Sequence, residues 1–178
     1  MAYLSGTRSV YYHFLEGNDH ILADECSKKK LLDFVFALYR ERGWRIYAFC
    51  ITDSGAYFIT ETETEGRLQE NLPRTADDFL QWYRYNAVQI SGDGLFFRAY
   101  GEERLKSAHE IALRCRQIHQ IPLKVGYVHR IGDYWWSSYI TYMGGYHWEG
   151  VDCQPLTEYF SMNPETAKRK IRQLHKGS

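Results

Sequence analysis

The stretch Trp-Arg-Ile-Tyr-Ala-Phe-Cys-Ile-Thr-Asp-Ser-Gly-Ala-Tyr-Phe-Ile-Thr-Glu-Thr, residues 44–62, decides the fold of this chain. Residues 45–51 and 56–62 are rich in β-branched and aromatic side chains, which favour strands. Between them stands Asp53-Ser54-Gly55, whose residue types give the backbone the freedom that a tight turn needs. The stretch therefore predicts a β-hairpin, around which the other elements can be placed.

The sequence before the hairpin predicts a strand followed by a helix. Residues 9–15 are rich in Val, Tyr and Phe and lead into turn residues at 16–19, as a strand does. In the helix that follows, either Asp24 or Ser27 can be the N-cap, and apolar residues recur at helical spacing from Leu31 to Tyr39. Gly43 is typical of the end of such a helix.

The sequence after the hairpin predicts a second set of elements. We expect a polar loop over 63–74, a helix over 76–88, a strand over 95–100, a long helix from about 102 to 119, and a C-terminal helix over 166–175. The dipeptide Asn163-Pro164 marks the start of the last of these helices. This order predicts an α+β fold with helices packed on one face of an antiparallel sheet.

Composition limits the partners of the chain. Lys plus Arg equals Asp plus Glu, at 22 each among 178 residues. Such a balance argues against a nonspecific polyanion binder, although it permits one local basic patch. No apolar run approaches the roughly 20 residues that a membrane-spanning helix needs, so we expect no membrane insertion and a cytoplasmic location.

The cysteines and histidines do not predict a metal site. The four cysteines are widely spaced without a CxxC pair, and the seven histidines show no ligand-like pairing. From spacing alone we therefore expect neither a zinc site nor a disulfide framework, and no cofactor.

Two clusters in the C-terminal half each allow two interpretations. The basic cluster consists of Lys168, Arg169, Lys170 and Arg172. It is either a solvated helix face or a surface that contacts phosphates. The aromatic cluster Tyr-Trp-Trp-Ser-Ser-Tyr at 134–139 covers either a sheet edge or a ligand.

Two motifs connect the chain to a known family. The segment 134–139 is similar to the Tyr-Pro-Trp-Ser-Ser-Tyr of the single-tyrosine HUH transposases, in particular the REP-associated tyrosine transposases. The tract Gln-Ile-His-Gln-Ile-Pro-Leu-Lys-Val-Gly at 117–126 resembles, in frame, that family's Tyr-Ile-His-Leu-Asn-Pro-Val-Arg-Ala-Gly. The resemblance runs from Tyr12-His13 through the hairpin to these motifs, which is most of the chain.

The resemblance implies a ferredoxin-like sheet that binds DNA hairpins, often as a dimer. It also implies a chemistry in which two histidines on the strand after the hairpin turn hold a divalent cation and a tyrosine attacks the scissile phosphate. In this chain the histidine positions fall on Gly55 and Tyr57, and the nucleophile position falls on Gln117. Glycine has no ligand atom, a neutral phenol is a poor ligand for Mg²⁺, and an amide is no nucleophile.

The resemblance therefore predicts a transposase-like protein that recognises hairpin or single-stranded DNA without cleavage or strand transfer. We expect residues 1–150 to form the transposase-like domain and 151–178 a C-terminal helical extension. RNA binding and a homodimer are further expectations. The predicted nucleic-acid contacts are the basic cluster together with Arg98, Arg114 and Lys124, and no metal ligands are predicted.

Two alternatives stay open at this point. One is a protein-interaction or regulatory module on the same fold. The other is a transposase that is still active through relocated residues, with Tyr57, Glu61 or Glu63 meeting Arg114 and Gln117 across a cleft. Arg98 stands one position away from the arginine of the family's Gln-Gly-Arg-Phe, and neighbouring strand positions face opposite sides.

Overall fold

The protein folds around a four-stranded antiparallel sheet with the strand order β2-β3-β1-β4. A computed structural model describes residues 8–17, 21–62, 67–86 and 97–176, without the side chains of residues 67–70, 98 and 99. The strands are β1 (Ser9–Gly17), β2 (Arg45–Ile51), β3 (Gly55–Thr62) and β4 (Phe97–Leu105). The predicted α+β class with helices packed on an antiparallel sheet is confirmed.

The hairpin of residues 44–62 forms as predicted. β2 has the predicted bounds, and β3 begins one residue earlier, at Gly55. The backbone amide of Thr52 donates to the carbonyl oxygen of Gly55 at 2.7 Å, which closes the turn. The Lys28 ammonium group pairs with Asp53 at 2.7 Å and so ties the turn to the first helix.

Helix α1 (Glu25–Arg42) has the predicted start and end. Of the two candidate caps, Asp24 is the N-cap, because its carboxylate accepts from the amide of Ser27 at 2.8 Å. Gly43 ends the helix with a φ of 65°, in the left-handed region that favours glycine. At the C-terminal end of the helix, the buried Tyr39 hydroxyl lies 2.8 Å from Nε2 of His13 on β1.

Helix α2 (Arg67–Asn86) begins inside the stretch that the sequence predicts as a loop, so the loop prediction is wrong for residues 67–74. A buried stripe at helical spacing extends back from Phe79 through Ala76 to Leu72, and packing of this stripe overrides the polar composition. Pro73 lies within the helix despite its missing N–H. The helix packs beside α1 and against β4.

Helix α3 (Ala108–His119) starts later than predicted, because residues 102–105 belong to β4. Ser107 caps the helix by accepting from the amide of Glu110 at 3.2 Å, and the Glu110 carboxylate accepts from the amide of Lys106 at 2.8 Å. This Ser-x-x-Glu arrangement is a helix-start signal. β4 therefore runs to Leu105 and pairs with β1 along its whole length.

Helices cover both faces of the sheet. Arg114 of α3 contacts Tyr12, whereas Tyr39 of α1 contacts His13. Because neighbouring residues of a strand face opposite sides, α3 lies on the face opposite to α1 and α2. The sequence predicted helices on one face of the sheet. The structure has α3 on the second face as well.

The described C-terminal third of the chain contains four helices and one 3₁₀ turn. They are α4 (Ile121–Lys124), α5 (Tyr139–Tyr142), α6 (Gln154–Phe160) and α7 (Pro164–Lys176), with a 3₁₀ turn at Ile131–Asp133. Asn163 caps α7 as predicted, accepting from the amide of Thr166 at 2.9 Å. α6 packs on α3 and α7, and the domain boundary after residue 150 stays a prediction.

The aromatic segment 134–139 covers the outer edge of β2. The amide of Ile51 donates to the carbonyl oxygen of Trp136 at 2.9 Å, and the amide of Ser138 donates to the carbonyl oxygen of Phe49 at 3.0 Å. The segment thereby satisfies backbone groups that an open sheet edge would expose. Within the described ranges, no helix combines the length and the apolar character needed to cross a lipid bilayer.

Candidate nucleic-acid interface

The two positions of the expected histidine pair lie at the start of β3, on the face that α3 covers. Gly55 is buried opposite Glu16 of β1, and Tyr57 lies opposite Phe14. A Cβ atom on Gly55 would lie 2.9 Å from the Tyr57 hydroxyl oxygen and 3.2 Å from the Leu15 carbonyl oxygen, both too close for an ordinary contact. The Tyr57 ring therefore occupies the space that a side chain at position 55 would need.

The Tyr57 hydroxyl is held as a neutral phenol. It donates a hydrogen bond to the Glu16 carboxylate at 3.0 Å. Burial, followed by the nearby Glu16 carboxylate, raises the pKa of Tyr57 well above its usual value of 10. Both effects disfavour the phenolate, which is the form that binds a metal ion or attacks phosphorus.

An arginine from α3 completes this cluster. The Arg114 guanidinium lies 4.4 Å from the centre of the Tyr12 ring and forms an ion pair with Glu103, which is opposite Tyr12 in the sheet register. Burial raises the pKa of Tyr12, and the charge of Arg114 opposes that rise. We call Tyr12, Glu16, Tyr57, Glu103 and Arg114 the sheet cluster.

The sheet cluster is unfavourable for a phosphate group. It holds two carboxylates and one guanidinium, so its charge balance is negative at pH 7. Arg114, predicted as a phosphate contact, is already engaged by Glu103 and Tyr12. Gln117, to which the resemblance assigns the nucleophile position, is exposed one turn further along α3.

Glu61, one of the other carboxylates proposed for a relocated active site, does not join the sheet cluster. Glu61 is buried and pairs with Arg8 at 3.3 Å and with Arg45 at 3.8 Å, which is a structural role at the far end of β3. Glu63 lies outside the described residues, and so does the side chain of Arg98.

The basic cluster of α7 divides between two sides of the helix. Lys168, Arg169 and Arg172 line one open cleft with Glu165 and Thr166, and we call this the basic cleft. Lys170 instead donates to the Phe160 carbonyl oxygen at 2.9 Å and so satisfies the end of α6. Lys124 is exposed at the end of α4.

A loop passes directly beside the basic cleft. A Cβ atom on Gly144 would lie 3.1 Å from Nζ of Lys168, and Gly144 has a φ of 72°, which favours glycine. Two residues further, Tyr146 is 47 % exposed and packs on Trp135, which is 48 % exposed, with 4.6 Å between the ring centres. Tyr146 was missed in the sequence because it lies outside the aromatic segment.

Most of the aromatic segment is structural. The Tyr134 hydroxyl donates to the Ile51 carbonyl oxygen at 2.6 Å, and Trp136 is buried against Trp148. Only the pair Trp135 and Tyr146, among the aromatic residues named in this region, presents large exposed ring surface. Exposed rings of this kind can stack on bases.

The structure also brings together groups that the sequence did not pair. Cys115, His119 and His175 meet in the interior, where their potential ligand atoms lie within 4.8 Å of one another. Burial lowers the pKa of both histidines, that of His175 to about 4, so both rings are neutral at pH 7. Cys115 and His119 are four residues apart on one helix, which is the only part of this group that the sequence could have indicated.

These features define an α+β protein with a four-stranded antiparallel sheet and helices on both of its faces. No family model matches the chain, and no curated protein matches its sequence. Among solved structures, the chain is similar to a REP-associated tyrosine transposase bound to a REP hairpin. The TM-score is 0.60 and the identity 14 %, over 86 % of this chain and 90 % of that chain. At this identity, the similarity confirms the resemblance at the level of the fold.

Proposed function

We propose that this protein is a catalytically degenerate relative of the tyrosine transposases that recognises hairpin DNA without cutting it. The observation that carries the proposal is the Tyr57 ring, which fills the space over Gly55 where the family's metal ligand would stand. The choice of hairpin DNA rests on the solved transposase of the same fold, which is bound to such a hairpin.

Loss of cleavage follows from the chemistry of the sheet cluster. Phosphodiester transfer needs a cation to polarise the phosphate and a nucleophile that can be deprotonated. Position 55 offers no ligand atom, the pKa of Tyr57 is raised, and position 117 carries an amide. The negative charge balance of the cluster also repels the scissile phosphate.

Binding is best supported at the basic cleft. The chain has zero formal net charge, so affinity for DNA has to come from local contacts rather than from a general field. The cleft brings three cations together on one side of α7, and the neighbouring loop leads to the exposed Trp135–Tyr146 pair. Phosphates would contact the cleft, and an unpaired base of the hairpin loop would stack on the rings.

A single experiment tests binding and cleavage together. A fluorescent DNA hairpin with a single-stranded flank is incubated with the protein and Mn²⁺, and binding is measured by anisotropy before the sample is run on a denaturing gel. We expect binding without a nick or a protein–DNA adduct. Trp135→Ala should weaken binding by about 1–3 kcal/mol, the range for loss of one stacked base, while Tyr85→Ala, a change of another exposed ring, should not.

The same assay separates the alternatives. The hydrogen bond from Tyr57 to Glu16 pairs a hydroxyl with a carboxylate base, which is the one observation in favour of a relocated active site. A denaturation-resistant adduct that disappears in Tyr57→Phe would establish that enzyme. If no hairpin of DNA or RNA binds at low salt, the protein-interaction module replaces the binding proposal, and light scattering then measures whether the chain forms the expected homodimer.

A further inference from the structure

Three donor atoms converge where α3 and α7 meet. Sγ of Cys115 lies 3.6 Å from Nδ1 of His119, and the same Nδ1 lies 3.0 Å from Nε2 of His175. Cys115 and His119 project from consecutive turns of α3, and His175 lies in the last turn of α7. The three residues are 1 %, 0 % and 5 % exposed, so the donors are shielded from bulk water.

The remaining ring nitrogens are anchored to fixed partners. Nδ1 of His175 lies 2.8 Å from the carbonyl oxygen of Ile171, which only accepts, so this nitrogen carries the proton and Nε2 is left with a free lone pair. Nε2 of His119 lies 2.8 Å from the hydroxyl of Ser138. In metal sites, the nitrogen that does not bind the metal is oriented in this way by an outer hydrogen bond.

We propose that Cys115, His119 and His175 bind a zinc ion. One sulfur and two imidazole nitrogens are the ligand types that zinc prefers, whereas Mg²⁺ and Ca²⁺ require oxygen donors. The separations of 3.0 Å and 3.6 Å are close to those between corners of a tetrahedron around zinc, given bond lengths of about 2.0–2.3 Å. The fourth corner goes to a water molecule.

The protons balance in both states. Without zinc, the Ser138 hydroxyl donates to His119, His119 donates to His175, and His175 donates to the Ile171 carbonyl. When zinc binds, the Cys115 thiol releases its proton to solvent and the His119 proton moves from Nδ1 to Nε2, while zinc sheds bound water. Nε2 then donates to Ser138, whose hydroxyl turns to the Phe49 carbonyl oxygen 3.3 Å away.

The ion would join the last helix to the body of the protein. Links already present between these helices include the contact of the two histidines and the hydrogen bond from the Gln120 side chain to the His175 carbonyl oxygen at 2.9 Å. Zinc bonds to both helices would fix α7 at its C-terminal end. The proposed ligands include none of the residues of the basic cleft, so metal content and DNA affinity can be measured and changed by separate substitutions.

The test measures metal on the intact protein. After purification without chelators, we expect about one zinc per chain by inductively coupled plasma mass spectrometry. Chelation should lower the melting temperature by about 5–10 °C, the shift that a ligand present at one hundred times its Kd gives in a domain of this size. Replacing zinc by Co²⁺ should produce visible d–d bands and a thiolate-to-cobalt charge-transfer band.

Variants locate the site. Cys115→Ala should abolish the charge-transfer band, and His175→Gln should weaken cobalt binding at least tenfold. Cys50→Ala, a matched control at another buried cysteine, should keep one equivalent of metal. The proposal is overturned if the wild-type protein takes up no zinc or cobalt, because the group then serves only as a neutral hydrogen-bond chain from Ser138 to the Ile171 carbonyl. It is also overturned if the cobalt charge-transfer band persists in Cys115→Ala.

Discussion

The sheet cluster and the basic cleft differ in whether their charged side chains are paired with one another. In the sheet cluster, the charged groups are engaged with one another, since Glu16 accepts from Tyr57 and Arg114 pairs with Glu103. In the basic cleft, three cations face an open space with a single carboxylate among the lining residues. A phosphate entering the sheet cluster would have to break existing pairs, whereas one entering the cleft would not.

Under the proposed function, this difference separates the face where cleavage is absent from the surface that binds DNA. A phosphate at the sheet cluster would have to displace carboxylates that already bind the Tyr57 hydroxyl and the Arg114 guanidinium. The sheet cluster is therefore expected to act as a structural unit of the sheet. An exposed cation can exchange water and counterions for a phosphate at little cost, which is the basis of salt-dependent nucleic-acid binding.

The largest expected effect is on DNA affinity. The double variant Lys168→Ala/Arg172→Ala should lower hairpin affinity about 100-fold, which is about 2.7 kcal/mol. The slope of log affinity against log salt should start near −3 for three cations and lose about one unit per substituted residue. Anisotropy titrations at several salt concentrations measure both quantities.

The matched control removes the same charge elsewhere. Lys29→Ala/Arg130→Ala deletes two exposed cations that pair with Asp33 and Asp133, each at 2.9 Å. This variant should bind with the wild-type slope. If it loses as much affinity as the cleft variant, then net charge governs binding and the contrast between cleft and sheet is lost.

The next effect tests whether water is excluded from the face of the sheet that α1 covers. His13 is fully buried between Tyr39 and Phe58, and this burial lowers its pKa from 6.5 to about 3. Between these two values the unfolded chain binds a proton that the folded chain does not, so stability falls as pH falls from 6.5 toward 3. From pH 6.5 to 4.5 the contribution of this group is about 2 kcal/mol.

The variant His13→Phe should remove that part of the pH dependence. Urea unfolding at pH 6.5 and pH 4.5 gives the loss of stability for each protein, and the wild type should lose about 2 kcal/mol more than the variant. Phenylalanine keeps the stacking, and Tyr39 retains Thr60 at 3.3 Å as a hydrogen-bond partner. Equal losses in both proteins would mean that His13 is protonated in the folded state and that water reaches this face.

A smaller effect tests the coupling of Gly55 to Tyr57. Gly55→Ala should destabilise the protein by about 1–2 kcal/mol, because the new Cβ atom overlaps the Tyr57 hydroxyl. In a Tyr57→Ala background the same change should cost about 1 kcal/mol less, which a double-mutant cycle measures. Additive costs would assign the strain to the Leu15 carbonyl instead and would leave the space over Gly55 unexplained by Tyr57.

Local signals in the sequence were sufficient for the hairpin and for the ends of α1 and α7. They failed where two signals competed. At 67–74, polar residues and Pro73 hid the apolar stripe that continues α2. At 102–105, Leu105 fitted a helical spacing, although Ser107 and Glu110 mark the later start of α3.

The site was predictable only in part, because register and packing are not local. The motif alignment gave positions 55, 57 and 117, and the charge pattern gave α7. Neither the alignment nor the charge pattern indicated Glu16 or Glu103, which reach the sheet cluster through the pairing of β1 with β3 and β4. His175 joins Cys115 and His119 only because α7 packs back on α3, across more than fifty residues of chain.

The smallest expected effect is the absence of a response to Mg²⁺. It tests for a cation in the sheet cluster separately from the proposed zinc site. Millimolar Mg²⁺ should change the melting temperature of Cys115→Ala by less than about 1 °C, since a cation stabilises the fold only where it binds the native state. This background removes the thiolate of the proposed zinc site, so a response would come from oxygen donors elsewhere. Stabilisation by Mg²⁺ that disappears in Glu16→Gln would mean that the sheet cluster holds a cation after all. The face around Tyr57 would then be a rebuilt active site, and the comparison with the basic cleft would no longer separate lost function from retained function.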